Sequence, residues 1–158
     1  MKLLLHHPGY FLQILGTVAL CAMSITGTAY AGDVEALYRA AGDGKTTEVT
    51  GLLRSGVNVN GRTRSGSYAL NAAAVENNTE VIQILLAHGA DPNVRNRQGD
   101  TPLICATKYA GGRSDTVKLL VDAGTDREIR DNSGNTALDY AMAKKQKDAV
   151  SILGRSDS

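Results

Sequence analysis

The sequence predicts an all-α fold: a solenoid of about four stacked helix–turn–helix repeats with projecting finger loops, covering residues 32–155 of a 158-residue chain. Two series of glycines point to it. Gly56 and Gly89 are 33 positions apart, and Gly89 and Gly124 are 35 apart; Gly66, Gly99 and Gly134 repeat the same two intervals. Both series therefore place the same two extra residues in the third copy. The third observation is periodicity within a copy: Val81, Ile82, Leu85 and Leu86 fall at helical spacing before Gly89, which sits where a left-handed residue would close the helix.

Each copy reads as turn, helix, turn, helix, turn, and the copies span about 33–60, 61–94, 95–129 and 130–155. Their second helices end in Leu52-Leu53-Arg54-Ser55-Gly56, Leu85-Leu86-Ala87-His88-Gly89, Leu119-Leu120-Val121-Asp122-Ala123-Gly124 and Val150-Ser151-Ile152-Leu153-Gly154. Helices of roughly ten residues are marginal alone in water, so each pair must bury its apolar faces against the next, leaving the loops along one edge. The outer copies read as caps: the first lacks a preceding finger, and the last is polar through Lys144-Lys145-Gln146-Lys147-Asp148. Residues 156–158 are expected to be a disordered tail.

Residues 1–31 are of another kind. Lys2 precedes an apolar run, Ile14 to Ile25, and Ala29-Tyr30-Ala31 supplies the small residues at −3 and −1 that a signal peptidase accepts. The run is short for a membrane span, and nothing downstream resembles a stop-transfer segment. The expectation is a cleaved signal peptide ending at Ala31 and a periplasmic or secreted product with no membrane segment after cleavage; the alternative is an uncleaved anchor. A lipoprotein signal at Cys21 is disfavoured by Leu20 before it.

Seventeen basic and 16 acidic residues give a net charge of +1, and removal of residues 1–31 leaves 16 of each. That balance argues against nucleic acid or an anionic membrane as partner, as does an aromatic content of 4% without tryptophan. The expected partner is a protein, and the expected state a monomer. The shortened chain keeps one cysteine, Cys105, and one histidine, His88, so it has no internal disulfide.

In the third copy, Gly99-Asp100-Thr101-Pro102-Leu103-Ile104-Cys105-Ala106 resembles the ankyrin-repeat helix start, Thr-Pro-Leu-His-x-Ala, with Ile104 in place of His. A Thr hydroxyl caps the open amides of a first turn, and Pro suits the first helical position, whose amide has no partner anyway. The second copy, with Ser67-Tyr68-Ala69-Leu70-Asn71, replaces Thr, Pro and His; the fourth keeps Thr136 alone. Gly89-Ala90-Asp91-Pro92-Asn93 matches the family's Gly-Ala-Asp-x-Asn loop, and Gly56-Val57-Asn58-Val59-Asn60 and Gly124-Thr125-Asp126-Arg127-Glu128 are looser versions. The resemblance covers residues 33–155 and implies an ankyrin-repeat solenoid that binds a protein through its finger loops and concave inner-helix face.

Motifs that suggest chemistry have simpler readings. Gly44-Lys45-Thr46 looks like the end of a phosphate-binding loop, but Arg39 stands where the first glycine is needed and the preceding segment is helical, which leaves an interhelical turn. His88 falls where a donor satisfies terminal helix carbonyls, and Cys105 reads as a small core residue; one of each cannot close a four-ligand zinc site. No catalytic, cofactor-binding or metal-binding residue is expected, and the chain is not expected to be an enzyme.

Partner contacts are expected from Arg62, Arg64, Arg95, Arg97 and Arg130, which stacking would align along the fingers, with Asp100 and Asp131 nearby to offset them. Lys108 and Tyr109 join them because they begin the two-residue extension between the helices of the third copy. Resemblance to exported bacterial ankyrin proteins suggests a scaffold in envelope stress, such as oxidant defence, or an immunity protein neutralising a toxin or enzyme. A small-molecule binder or enzyme is the rival class, and would require ionisable groups converging in a pocket.

Overall fold

The computed structural model describes residues 31–154, and their regular elements are all helices, joined by turns and loops. The predicted leader, apart from Ala31 itself, and the predicted tail lie outside them. Eight helices form four pairs: α1 Ala31–Gly42 with α2 Thr46–Arg54, α3 Ala69–Val75 with α4 Thr79–Ala87, α5 Pro102–Lys108 with α6 Ser114–Asp122, and α7 Ala137–Ala143 with α8 Lys147–Leu153. First helices stack on first helices and second on second, giving an inner row and an outer row. Among the described residues no helix is long and apolar enough to cross a membrane.

The core runs between the rows. Inner helices contribute small residues that allow close approach, Ala69, Ala72, Ala73 and Ala74 in α3 and Cys105 and Ala106 in α5, while outer helices contribute Val81, Ile82, Leu85, Val117 and Leu120. Burying one such aliphatic side chain is worth about 1.5–3 kcal/mol, so most of the stability of each short helix comes from its neighbours.

Three outer helices close alike. Gly56, Gly89 and Gly124 have φ of 91°, 83° and 81°, as the left-handed closure requires. Each donates to the carbonyl three residues back, and the residue after it reaches one position further: Ala90 to Leu85 and Thr125 to Leu120. Gly154 departs from this expectation. Its φ is −81°, and it lies only 30 positions beyond Gly124, level with Val121 counted from the helix starts. It ends α8 by another geometry and does not belong to the turn series.

Within the pairs, a three-residue turn with one left-handed residue joins the helices: Gly44, Asn77 and Lys145, at φ of 71°, 57° and 58°. Gly44-Lys45-Thr46 is thus an interhelical turn. In the third pair the connection has five residues, 109–113, and two left-handed glycines, Gly111 and Gly112, which is where the two extra residues lie.

The helix starts follow the sequence. Thr101 and Thr136 each accept from the backbone N–H three residues on, at 3.2 Å, and Asp139 returns the bond to the Thr136 amide at 2.9 Å to complete a capping box. Tyr68, which stands in for Thr, makes no side-chain cap.

Candidate functional site

The finger turns are built on one plan. Thr63, Asn96 and Asp131 each donate a backbone N–H to the carbonyl four residues on, at 2.9, 3.1 and 2.9 Å, and each side-chain oxygen accepts the backbone N–H of that same residue at 2.9, 2.9 and 3.0 Å. Gly66, Gly99 and Gly134, with φ of 80–83°, close the turns. This rigid frame holds the flanking side chains: Arg62, Arg95 and Arg130 before the capping residue, and Arg64, Arg97 and Asn132 after it.

The five finger arginines are all exposed, and the structure separates them into two groups. Arg95 bonds Gly99 O through Nε at 3.3 Å and Arg130 O of the next finger through Nη2 at 2.8 Å. Arg130 bonds Gly134 O at 2.8 Å and stands 3.5 Å from the Asp139 carboxylate. Among the described residues, the guanidinium groups of Arg62, Arg64 and Arg97 have no such acceptors; the backbone is engaged instead, the Arg64 N–H donating to Glu35 Oε1 at 2.7 Å and Arg97 O accepting from Asn132 Nδ2 at 3.0 Å.

Asp100 and Asp131 do not offset these arginines, contrary to the sequence expectation. Their side chains are fully buried, and both bind Lys108, whose Nζ lies 3.0 Å from Asp100 Oδ1 and 3.2 Å from Asp131 Oδ2. The Tyr109 hydroxyl donates to Asp100 Oδ2 at 3.1 Å and the Tyr140 hydroxyl to Asp131 Oδ2 at 2.6 Å. The ammonium lies over both rings, 5.3 and 5.0 Å from their centroids. Burial alone pushes the Asp131 carboxyl up, but bonds from Tyr140, the Asn135 amide, Lys108 and the Ser133 amide hold it down at about 2. Burial likewise works against the Lys108 ammonium, and the two aspartates together with Tyr140 outweigh it, raising its pKa.

Lys108 is therefore committed to joining the third and fourth copies, and of the two extension residues expected to meet a partner only Tyr109 is broadly exposed, at 53%. The extension itself is held on both sides. Asn77 of the second copy donates to Ala110 O at 3.1 Å, Gly112 donates to Ala106 O at 2.9 Å, and Lys144 of the fourth copy donates to Lys108 O. Gly112 has φ of 62°, and a Cβ on it would stand 3.2 Å from Ala149 Cβ and press on the end of the Gln146 side chain, so a glycine suits the loop's close approach to the fourth copy.

Cys105 and His88 occupy structural positions. Cys105 is 1% exposed beside Asn71 Nδ2, at 3.5 Å, and burial pushes its thiol up to about 12. His88 Nδ1 donates to Ile84 O at 2.8 Å across the last turn of α4. Open clefts exist beside α1 and α3, lined by Tyr38, Arg39, Asp43, Ala72, Val75 and Glu76, and between α2 and α4, lined by Thr46, Thr47, Thr50, Arg54 and Ile84. Neither holds His88 or Cys105. Among the described residues no three His, Cys, Asp or Glu side chains converge as a metal site would need.

A ladder of side chains binds each copy to the next. Asn58, Asp91 and Asp126 accept the N–H two residues on within their own loops, at 2.8–3.0 Å. Asn60 and Asn93 then accept from the backbone of the following loop, from Asp91 and Asp126 at 2.8 Å. On the inner row Asn71 replaces the family's His and still crosses to the next copy, donating to Asp100 O at 3.2 Å. Ile104 at the same place in α5 has no such group, and the Lys108 network makes the connection there.

A family model described as ankyrin repeats, in three copies, matches residues 20–96, 37–128 and 90–157. The chain is 37% identical over 106 residues to an ankyrin repeat protein of Fowlpox virus, covering 65% of this chain and 31% of that protein. It is 33% identical over 122 residues to ankyrin repeat and SOCS box protein 6 of Mus musculus, covering 77% and 29%, and 31% identical over 157 residues to mitochondrial disaggregase of Bos taurus, covering 78% and 23%. The chain spans less than a third of the length of these relatives. With the period, the turn glycines, the paired helices and the loop-to-loop asparagines all in register, the chain belongs to the ankyrin-repeat family, whose fold serves as a protein–protein interaction module and is typically not enzymatic.

Proposed function

We propose that the chain is an exported bacterial scaffold that binds one protein partner through its finger loops and concave inner-helix face, in defence of the cell envelope against oxidants. The observation that carries the binding surface is the rigid stacking of three finger turns beside the inner helices, which presents exposed side chains from successive copies: Arg62 and Arg64, Arg97 and Tyr109. The turns that carry these groups are already held by their own hydrogen bonds, so binding loses little backbone entropy there. Export is supported by the composition of residues 1–31, with its small residues before position 32. The buried, unreactive state of Cys105 and the capping role of His88 favour a surface that works by shape and charge over one that works by covalent chemistry.

The test is a crosslinking pull-down from the native compartment. One stoichiometric partner, lost when Tyr109→Ala is combined with Arg97→Ala, is the expected result; no partner from the parent protein would overturn the scaffold. A partner that is an enzyme or toxin inhibited on binding would place the chain among immunity proteins instead. A reporter fused after residue 31 should be exported, and its retention in the cytoplasm would remove the localisation.

A further inference from the structure

The scaffold above leaves the chemistry of its partner open, and the finger turns constrain it. At each junction between fingers, an arginine of one turn lies over that turn's glycine and meets the third residue of the next turn. Between the third and fourth copies the meeting residue is Asn132. Its backbone N–H donates to Gln98 O at 3.0 Å and its amide to Arg97 O at 3.0 Å, while Arg95 is spent on the Arg130 carbonyl. Asn132 brings no charge of its own, and that junction is knitted shut.

Between the second and third copies the corresponding pair is Arg62 and Arg97. A Cβ placed on Gly66 would be 3.1 Å from Arg62 Nη2 and 3.4 Å from Arg97 Cβ, so the Arg62 guanidinium lies over this glycine beside the base of the Arg97 side chain. Neither guanidinium has an acceptor among the described residues, and Arg64, on the same finger as Arg62, is exposed and likewise lacks one. The Glu35 carboxylate also lies here, its Oε1 accepting the Arg64 backbone N–H at 2.7 Å. Three cations thus stand on two adjacent rigid turns, with no ion pair to their guanidinium groups among the described residues. Their mutual repulsion is relieved by a ligand that supplies anions at that spacing, and planar guanidinium forks match carboxylates in pairs.

We propose that the second and third fingers grip an acidic segment of the protein partner, with carboxylates seated on Arg62, Arg64 and Arg97 and the remaining two finger arginines serving only to hold the turns. The inference rests on the scaffold reading and adds the partner's charge to it. A chain with balanced overall charge gives no general attraction for polyanions, so recognition is local to this junction.

The test is a titration of the full chain with a hexaglutamate peptide, a hexalysine peptide and a single-stranded DNA oligonucleotide of the same charge as hexaglutamate, read by amide and arginine side-chain NMR shifts. Hexaglutamate should move the signals of fingers two and three and lose affinity as salt rises. The double variant R62A/R97A should weaken it about tenfold. R95A/R130A, which removes the same formal charge, should leave it within about twofold while lowering the melting temperature. Equal losses in both variants, or no shift with hexaglutamate, would overturn the proposal, and tighter binding of the oligonucleotide would overturn it in favour of nucleic acid. The pull-down separates the two levels: a partner still captured at parental yield by R62A/R97A leaves the scaffold standing and removes the acidic segment, whereas no partner from the parent protein removes the scaffold itself.

Discussion

Replacing Lys108 with Met keeps most of the stem's volume and removes the charge that two buried carboxylates share. The Lys108 side chain is 20% exposed and those of Asp100 and Asp131 are 0% exposed, so water cannot take over the lost bonds. Removing one member of a buried ion pair costs about 3–5 kcal/mol, chiefly because the charge left behind is unpaired. Here two are left, each retaining a tyrosine hydroxyl, which keeps the expected loss near ~4 kcal/mol. For a domain of this size that lowers the melting temperature by roughly 10–15 °C. Urea denaturation followed by circular dichroism measures it. The dependence on pH provides the signature. Asp131 is held at about 2, below its ordinary 3.8, so the stability it confers is fully present above about pH 4 and is lost as the pH falls through 2. In K108M the Asp131 carboxyl loses one of the groups that hold it down and regains its proton at higher pH, which relieves its burial, so the gap from the parent protein narrows below pH 4. The triple variant K108M/D100N/D131N should be more stable than K108M alone, since no unpaired charge remains. A loss below about 1 kcal/mol, or one that is the same at pH 3 and pH 7, would show that the network is not what joins the last two copies.

Three further outcomes follow from the geometry. Thr136→Ala should cost about 1 kcal/mol in a thermal melt through loss of both arms of the capping box, whereas the same change at Thr47, exposed within α2, should cost less than about half of that. Gly99→Ala and Gly134→Ala impose the same left-handed strain, at φ of 80° and 81°, but only the first drives a Cβ to 2.5 Å from Asn132 Oδ1; Gly99→Ala should therefore be worse by more than about 1 kcal/mol in urea denaturation. Cys105 should react with an aromatic disulfide reagent at pH 8 only on unfolding, because its thiol is buried and titrates at about 12; rapid labelling of the native protein would contradict its placement.

The repeat was legible because it is written in local chemistry. Left-handed glycines, an Asx residue two positions into each loop and a Thr-Pro start each require particular residues within a few positions of one another, and the period multiplies the signal. The Lys108 network was not legible for the opposite reason. Its members are 8 and 23 residues from Lys108, and they meet only because stacking folds the fingers back over the ends of the inner helices. Two aspartates in otherwise basic fingers were a usable clue, since a charge on the inward leg of a tight turn is retained only with a partner. Read from sequence as counterweights to the arginines, they proved to be counterions to a lysine. Gly154 misled in a simpler way: it follows Ile-Leu as a terminal glycine does, but stands 30 residues from its predecessor and so falls out of phase.

The two neighbouring finger junctions differ in a manner that ties stability to recognition. In a stack where each copy touches only its neighbours, the free energy is approximately a sum over copies and junctions, so a function that weakens one junction must be offset at another. Asn132 and Arg97 occupy the same position one repeat apart. Asn132 makes two bonds to the preceding finger, and Arg97 makes none with its side chain. The junction that lacks those bonds is the one where Asn71 supplies the inner-row connection that Ile104 cannot make, and where Asn93 accepts from the Asp126 amide. The second and third copies are thus joined from below, by neutral groups at the inner helices and outer loops, which leaves their finger tips unspent. The third and fourth copies are joined at the tips and by Lys108 beneath them. An arginine placed at 132 would test this division directly: Asn132→Arg should destabilise the last copy while extending the basic surface by one finger, and if stability were unchanged the Asn132 bonds would not be what closes that junction.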